Sequence, residues 1–353
     1  MGFQHYKNVS LKGVAACVPE NIQDNRKLPL LGSEEQVQKF IETTGVVTRH
    51  TVNKQNLCSS DMCYHSAVAL LTELKWNSNE IDCLLFVSQT PDYIMPATAC
   101  ILQDRLGLDN ECFTMDISLG CSGWIYGMAT MGALLQNGGF KKGLLLAGDT
   151  STVTKSPKDK STYPLFGDGG TATALEYNEE SSGLKVHTAT DGKSHKAIII
   201  PDGGFRNFYS PESLIDHEYE DGIIRNNLNT VLDGPGVFIF GISKAPKSIL
   251  GLINHFSIDP DHIDYYVLHQ ANKILNEKIR TKLRLPVEKV PYSIDEYGNT
   301  SSSSIPLTMV TRLRQKLISG RCNLITCGFG VGLSWGTIYL ETEKIVCPEL
   351  ILI

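Results

Sequence analysis

A cysteine flanked by small residues opens one of the apolar stretches of the chain. The segment DISLGCSGWIYGMATMGALL, residues 116–135, places Cys121 directly before a run with helical character. The unpaired N–H groups and the macrodipole of a helix N-terminus stabilise a thiolate, which lowers the pKa of the thiol and makes the sulfur nucleophilic. A buried packing cysteine is the commoner role for an isolated cysteine. Cys121 is therefore a candidate nucleophile whose role depends on its partners.

Two further polar residues occupy positions where catalytic groups collect in α/β proteins. His269 directly follows the apolar stretch YYVL, at the expected carboxyl end of a strand. Asn299 lies in the turn-like sequence YGNTS. Taken singly, a histidine at the edge of the core and an asparagine in a turn or helix cap explain both residues equally well.

An internal duplication relates these three residues to one another. The segment SNEIDCLLFVSQT resembles PDHIDYYVLHQAN 182 residues later, and the stretch that begins at Gly120 resembles the one that begins at Gly298. This self-similarity predicts two halves, residues 1–178 and 179–353, related by a pseudo-twofold axis. Cys121 and Asn299 are then equivalent positions at two helix starts, and His269 joins them at the centre.

The composition is that of a globular protein with a substantial core. Apolar strand-like runs alternate with helical patterns, which predicts an α/β fold with parallel strands. The formal charge of −6 over 353 residues argues against general binding to nucleic acid or to an anionic membrane. The N-terminus lacks the order of a signal peptide, and no run is expected to reach the roughly 18 apolar residues of a membrane span. We therefore expect a cytoplasmic protein.

No metal or cofactor is expected. The ten cysteines are scattered, mostly in apolar runs, which indicates reduced and buried thiols. One short segment, CSSDMCYH, groups residue types that bind metals: Cys58, Asp61, Cys63 and His65. Without a second cluster at ligand spacing, we interpret it as a helix cap and core positions rather than a zinc site.

Two weaker patterns lie near the proposed centre. The glycine-rich sequence CGFGVGLSWG, residues 327–336, exposes backbone N–H groups that suit an oxyanion or a phosphate. The helix predicted after His269 carries a basic surface, which is either an ordinary solvated face or a docking site for an acidic carrier. Its basic residues are Lys273, Lys278, Arg280, Lys282 and Arg284.

Together these motifs resemble the β-ketoacyl-acyl carrier protein synthase III family of thiolase-fold condensing enzymes. The resemblance follows chain order across nearly the whole sequence, in the motifs TGVVTRH, TPDYIMPATACILQDRLGL, DISLGCSGWIYG, FGDGG, VLHQAN, YGNTSSSSIP and GFGVGLSWG. It implies a duplicated α/β fold layered αβαβα. It further implies that Cys121 is the nucleophile, with His269 and Asn299 as its catalytic partners and the backbone N–H groups of Cys121 and Val331 as the oxyanion hole.

The resemblance also implies a reaction and its partners. An acyl-CoA or acyl-acyl carrier protein would load Cys121, and decarboxylative condensation with malonyl-acyl carrier protein would give a β-ketoacyl thioester in fatty acid or related acyl biosynthesis. The expected assembly is a homodimer in which Met95 reaches the partner's acyl pocket. Gly234, Phe238 and Asn272 match positions that line the substrate tunnel.

Where family members often carry arginine to hold CoA, this chain has Lys160 and Ile274. Lysine does not replace a stacked or bidentate arginine, so a carrier-protein donor or a specialised pathway gains weight. One alternative is an acyl-Cys transferase that delivers the acyl group to an alcohol or amine. A cysteine hydrolase with Cys, His and Asn in the same chain order is another, and a catalytically inactive scaffold partner is the non-enzymatic one.

Overall fold

The structure, a computed structural model, describes residues 2–52, 57–137 and 139–353. Within these ranges the chain forms eight helices and seventeen strands, joined in places by short 3-10 turns. The helices are α1 (Glu34–Thr44), α2 (Ser59–Leu74), α3 (Thr98–Arg105), α4 (Gly123–Asn137), α5 (Gly234–Phe256), α6 (Lys273–Lys282), α7 (Ile294–Tyr297) and α8 (Ser304–Ser319). The strands are β1 (Phe3–Tyr6), β2 (Val9–Val18), β3 (Ile22–Asp24), β4 (Thr48–His50), β5 (Cys83–Val87), β6 (Phe113–Ile117), β7 (Lys142–Asp149), β8 (Gly169–Tyr177), β9 (Leu184–Thr190), β10 (Ile198–Ile199), β11 (His217–Tyr219), β12 (Ile223–Arg225), β13 (Val231–Leu232), β14 (Tyr265–Leu268), β15 (Cys322–Gly330), β16 (Ser334–Thr342) and β17 (Ile351–Leu352).

Six strands form the first sheet, in the order β17-β2-β8-β7-β5-β6. Strand β5 pairs in parallel with both β6 and β7, whereas β8 is antiparallel to β7 and to β2. The side chains of β5 alternate between two cores: Leu85 and Val87 pack on one side of the sheet, and Leu84 and Phe86 on the other. Burial on both faces explains why this strand has the continuous apolar sequence CLLFV.

The second sheet repeats this pattern, in the order β1-β9-β16-β15-β14. Strands β14 and β15 are parallel, and β16 is antiparallel to both β15 and β9. The series β14, β15, β16 and β9 therefore matches β5, β7, β8 and β2 in order and in strand direction. The duplicated α/β fold predicted from the sequence is confirmed.

Two equivalent helices, α4 and α8, form a layer between the sheets. Trp124 and Met128 of α4 and Met309 and Leu313 of α8 share one buried hydrophobic cluster with strands of both sheets. Helices α2 and α3 cover the outer face of the first sheet, and α5 and α6 cover the outer face of the second. The five layers run αβαβα, as predicted.

The terminal strands cross between the two halves. Strand β1 pairs with β9 in the second sheet, and β17 pairs with β2 in the first. The predicted boundary at residue 178 falls in the connection between β8 and β9. The division into domains 1–178 and 179–353 stays a prediction, and each predicted domain contributes one strand to the sheet of the other.

Helix α5 corrects one sequence-based expectation. Over its 23 residues it is long and apolar enough, by length and composition, to cross a membrane, although we expected no such run. Its side chains Phe240, Ile249 and Leu252 are buried in the core against the second sheet. A buried helix of a protein core can satisfy the same criteria of length and composition as a membrane span.

Helix α2 contains the group of potential metal ligands. The backbone N–H of Cys58, at the helix N-cap, donates to the Asp61 carboxylate at 2.8 Å. Cys63 is buried in the hydrophobic core, while His65 is exposed on the opposite side of the helix. These positions match the predicted helix cap and core.

Candidate active site

A cavity of about 480 Å³ lies between the two halves, and Cys121, His269 and Asn299 all line it. The three residues come from different elements: Cys121 precedes α4, His269 follows β14, and Asn299 lies in the loop between α7 and α8. The duplicated fold brings these element ends together, because α4 and α8 start from the same central layer. The structure thus assembles the three residues that the sequence singled out.

Cys121 is partly exposed at the wall of this cavity, separated from the first residue of α4 only by Ser122. Burial raises the pKa of the Cys121 thiol to about 11, and the charge of Asp149 also raises it. Hydrogen bonds from the Val331 N–H and the Ser301 hydroxyl act in the opposite direction. We expected the helix start to lower this pKa, and burial outweighs that effect.

A close backbone contact positions Val331 beside the thiol. Gly330 ends β15, and a Cβ atom at this residue would lie 2.5 Å from Cβ and 2.9 Å from Sγ of Cys121. Only glycine allows this approach. The backbone N–H groups of Cys121 and Val331, which are predicted to form an oxyanion hole, therefore both lie next to this contact.

His269 is buried at the carboxyl end of β14. Its backbone N–H donates to the Cys327 carbonyl at 2.8 Å, and its Nδ1 lies 2.6 Å from the Ser304 hydroxyl. The edge of the Phe329 ring packs against the imidazole at a centroid distance of 5.6 Å. Burial lowers the pKa of His269 to about 3, so the imidazole is neutral at physiological pH.

Asn299 is fixed by its backbone and by one side of its amide. The Asn299 N–H donates to the Leu165 carbonyl at 2.9 Å, and the Asn299 carbonyl accepts from the Gly167 N–H at 3.1 Å. Its Oδ1 accepts from the Ser301 N–H at 2.9 Å. Because Oδ1 is engaged as an acceptor, the side-chain NH₂ is the group available to donate to a bound molecule.

A buried carboxylate ties the loops of the two halves together beneath the cavity. Asp149, the last residue of β7, accepts hydrogen bonds from the Gln89 N–H at 2.7 Å and from the Ser302 hydroxyl at 2.6 Å. Burial raises its pKa, whereas the hydrogen bonds from Ser302 and Gln89 lower it. Asp149 therefore links the loop after β5 to the loop that carries Asn299.

The predicted substrate-binding residues divide into two groups. Gly234, Phe238 and Asn272 line the cavity, and the Asn272 side chain also caps α6 by accepting from the Leu275 N–H at 2.8 Å. Met95 is 83% exposed and is not among the residues that line the cavity of its own chain. Its predicted contact with a partner's pocket stays a prediction.

Comparison with known proteins identifies the family to which the chain belongs. The family model for 3-oxoacyl-[acyl-carrier-protein (ACP)] synthase III matches residues 115–192, and the model for the C-terminal part of that synthase matches residues 253–342. A beta-ketoacyl-[acyl-carrier-protein] synthase III from Rhodopirellula baltica is 32% identical over 350 residues, which span 94% of this chain and 97% of that protein. This chain belongs to the β-ketoacyl-acyl carrier protein synthase III family.

Other relatives of the synthase agree with this assignment. A protein of the same name from Streptococcus pneumoniae is 32% identical over 329 residues, covering 93% of this chain and 97% of its own. The crystal structure of a 3-oxoacyl-(acyl-carrier protein) synthase from Burkholderia xenovorans matches with a TM-score of 0.92 at 34% identity, over 99% of each chain. The resemblance inferred from the motifs is confirmed, and the chain is an acyltransferase of the condensing type.

Two of the five basic side chains predicted to bind the carrier are already engaged within the synthase. Arg280 forms an ion pair with Glu277 at 2.7 Å, and Lys282 donates to the Ile242 carbonyl at 3.0 Å. Lys273, Lys278 and Arg284 are exposed. The predicted carrier-docking face therefore offers these three side chains more readily than the other two.

Sequence reasoning missed Asp149 and three further polar residues at this site. Ser301 and Lys155 line the cavity, and Ser304 contacts the imidazole of His269. Ser301 and Ser304 lie within the repeated serines of YGNTSSSSIP, where sequence alone does not separate one hydroxyl from the next. Lys155 follows a strand end, and that position is the only signal that could have identified it.

Proposed function

We propose that this synthase III joins an acyl group carried on Cys121 to the malonyl unit of malonyl-acyl carrier protein, with loss of CO₂, to give a β-ketoacyl thioester. The observation that carries this proposal is the single cavity lined by Cys121, His269 and Asn299. In the first half-reaction the Cys121 sulfur attacks the acyl thioester carbonyl. The new C–S bond forms as the thiolate of CoA or of the carrier leaves.

In the second half-reaction His269 and Asn299 donate hydrogen bonds to the thioester oxygen of the malonyl group. As the C–C bond to the carboxylate breaks, its electron pair becomes an enolate whose oxygen these donors stabilise. The enolate carbon then attacks the acyl carbonyl on Cys121. The N–H groups of Cys121 and Val331 hold the resulting oxyanion until the sulfur of Cys121 leaves.

The proposal also covers the carrier protein, the cellular compartment and the oligomeric state. A carrier protein, which is acidic, would dock on the exposed side chains Lys273, Lys278 and Arg284 and present its thioester to the cavity. The synthase would act in the cytoplasm, as a homodimer, in fatty acid or related acyl biosynthesis. The supporting observations are the exposed cations on α6 and just after its end, and the exposed Met95.

Intact-mass measurement tests this function. The wild type, incubated with a panel of acyl-CoA and acyl-carrier thioesters, should gain one acyl mass, and malonyl-carrier should then discharge it as a β-ketoacyl product. Cys121→Ala should gain no acyl mass, whereas Asn299→Ala should load normally and fail to condense. Discharge by water, or by an alcohol or amine but not by malonyl-carrier, would overturn the proposal in favour of a hydrolase or a different acyl transferase.

A further inference from the structure

Lys155 is a lysine in the wall of the active-site cavity, and the proposed reaction gives it no task. It follows the 3-10 turn after β7, and its exposed fraction is 7%. Among the described residues that line the cavity, it is the only lysine or arginine. A buried ammonium group is costly unless the protein replaces its hydration shell, so its contacts determine what it can do.

The ammonium group is held by three oxygen acceptors and an aromatic face. Its Nζ donates to the Ser151 carbonyl at 3.1 Å, to Thr154 Oγ1 at 2.9 Å and to Thr230 Oγ1 at 3.0 Å. It also lies 4.2 Å from the centroid of the Phe166 ring. Because all three N–H groups have acceptors, the charge is fixed in place rather than mobile.

Acidic groups surround this charge. The ionisable groups that act on Lys155 are Asp168, Asp149, Cys121 and Asp159. Asp159 has a second partner, Arg225, at 3.2 Å. Burial raises the pKa of Asp168 to about 6, so it is ionised at neutral pH. Burial lowers the pKa of Lys155 to about 8, so it is mostly protonated at the same pH.

Cys121 needs a nearby positive charge to ionise. Burial and Asp149 both disfavour its thiolate. His269 is neutral, so no imidazolium is available as a counter-ion. Besides the N-terminus of α4, the positive charge in the described cavity wall is that of Lys155.

We infer that Lys155 is a positioning residue for the reaction: its fixed ammonium offsets the charge of Asp149 beside Cys121 and so increases the fraction of Cys121 present as thiolate at neutral pH. The thiol proton leaves to solvent, because Lys155 already holds its own proton. This inference rests on the proposed role of Cys121 as the nucleophile. It requires neither a particular acyl donor nor the malonyl step.

Alkylation of Cys121 by iodoacetamide tests the inference without any acyl substrate. The rate would be followed from pH 6 to pH 11 by peptide-level mass mapping, which separates Cys121 from the other nine cysteines. Lys155→Met should lower the rate at pH 7.5 about tenfold, as one unit of pKa implies. Lys155→Arg should keep most of the rate, and Lys158→Met, which removes an exposed lysine paired with Asp216, should keep all of it.

The pH dependence of the wild-type alkylation rate is a second test, and it does not require any variant to fold. As Lys155 loses its proton above about pH 8, each gain in thiolate is offset by the loss of the compensating charge. The wild-type rate should therefore flatten over about one pH unit above pH 8 and then rise again, whereas the Lys155→Met rate should rise tenfold per pH unit without this plateau. Melting curves at pH 7.5 check that each variant is folded.

The inference is wrong if the wild-type profile rises without a plateau, or if folded Lys155→Met alkylates Cys121 as fast as wild type at pH 7.5. A failed malonyl condensation with a normal alkylation profile would instead overturn the proposed function and leave the role of Lys155 intact. Loss of alkylation in both Lys155→Met and Lys155→Arg, with normal melting, would indicate a packing role and would also overturn the inference.

Discussion

The imidazole of His269 contacts the Ser304 hydroxyl through Nδ1, at 2.6 Å, and burial keeps it neutral. A neutral imidazole carries one proton, and the partner of one nitrogen decides which nitrogen holds it. If Ser304 donates to Nδ1, the proton lies on Nε2, where it can be donated to the thioester oxygen of the malonyl group. Ser304 would then set the tautomer on which the second half-reaction depends.

Ser304→Ala tests this arrangement. Without the donor, the other tautomer becomes accessible, and the enolate loses a hydrogen bond for part of the time. We expect loading of Cys121 within about twofold of wild type and condensation lowered roughly tenfold to a hundredfold. Ser319→Ala, which removes a hydroxyl from the other end of α8, is the control. Equal losses in both half-reactions, measured by acyl loading and by CO₂ release, would contradict the assignment.

At the scale of residues, the sequence predicted which three side chains share the cavity, but it did not predict the polar residues that hydrogen-bond to them or surround them. The duplication aligned Cys121 with Asn299 and brought His269 to the same centre. Ser304 and Lys155 had no comparable signal, because the direction of a hydroxyl or an ammonium depends on packing around it. The pKa of Cys121 was misjudged for the same reason, since burial is not visible in a motif.

At the scale of elements, the end of strand β15 approaches the start of helix α4 most closely at Gly330, which lies against Cys121. Strand β15 ends at the cavity and helix α4 begins there, so their separation sets the distance between the Val331 N–H and the Cys121 sulfur. A side chain at Gly330 would have to displace either the strand end or the start of the helix.

Gly330→Ala should therefore uncouple the oxyanion hole from the nucleophile. The added Cβ would lie 2.5 Å from Cys121 Cβ, so we expect acyl loading to fall by about 10² or more, the usual effect of losing an oxyanion donor. The readouts are loading rate and melting temperature. Gly192→Ala is the matched control, because nothing lies within 4 Å of a Cβ atom there. A variant with wild-type loading would show that the contact is not needed.

The longer elements were predictable because their apolar patterns are strong. Strand β5 is apolar at every position, and the helix that follows Cys121 was recognised from its composition. Strands β1 and β17 were not predicted, since runs of four and two residues have too little periodicity to identify. The hydropathy of α5 reflects its place over the second sheet, which sequence alone does not reveal.

The whole molecule presents an apolar loop next to an open sheet edge. Tyr93, Ile94 and Met95 are consecutive and strongly exposed. They lie between β5 and β6, and β6 is the outermost strand of the first sheet. An exposed apolar segment beside an unpaired edge favours association with a second copy, as the predicted homodimer requires.

Ile94→Asp tests the homodimer. A charge at this residue, 72% exposed in the single chain, would be buried in the proposed interface, so we expect sedimentation to show a shift from dimer towards monomer. Acyl loading should fall with it, because Met95 would no longer reach the partner. Val287→Asp places the same charge at an apolar residue of similar exposure, 60%, outside this loop. A wild-type monomer, or an unchanged dimer in Ile94→Asp, would contradict the proposal.

The exchange of terminal strands also bears on how the chain is made. Strand β17 completes the first sheet by pairing with β2, yet it follows the entire second half in the order of synthesis. On the ribosome, the first half therefore waits with one edge of its sheet unpaired while the second half emerges. Strand β1, made first, waits equally for β9. The active site takes residues from both halves, so it is assembled only after the second half has emerged.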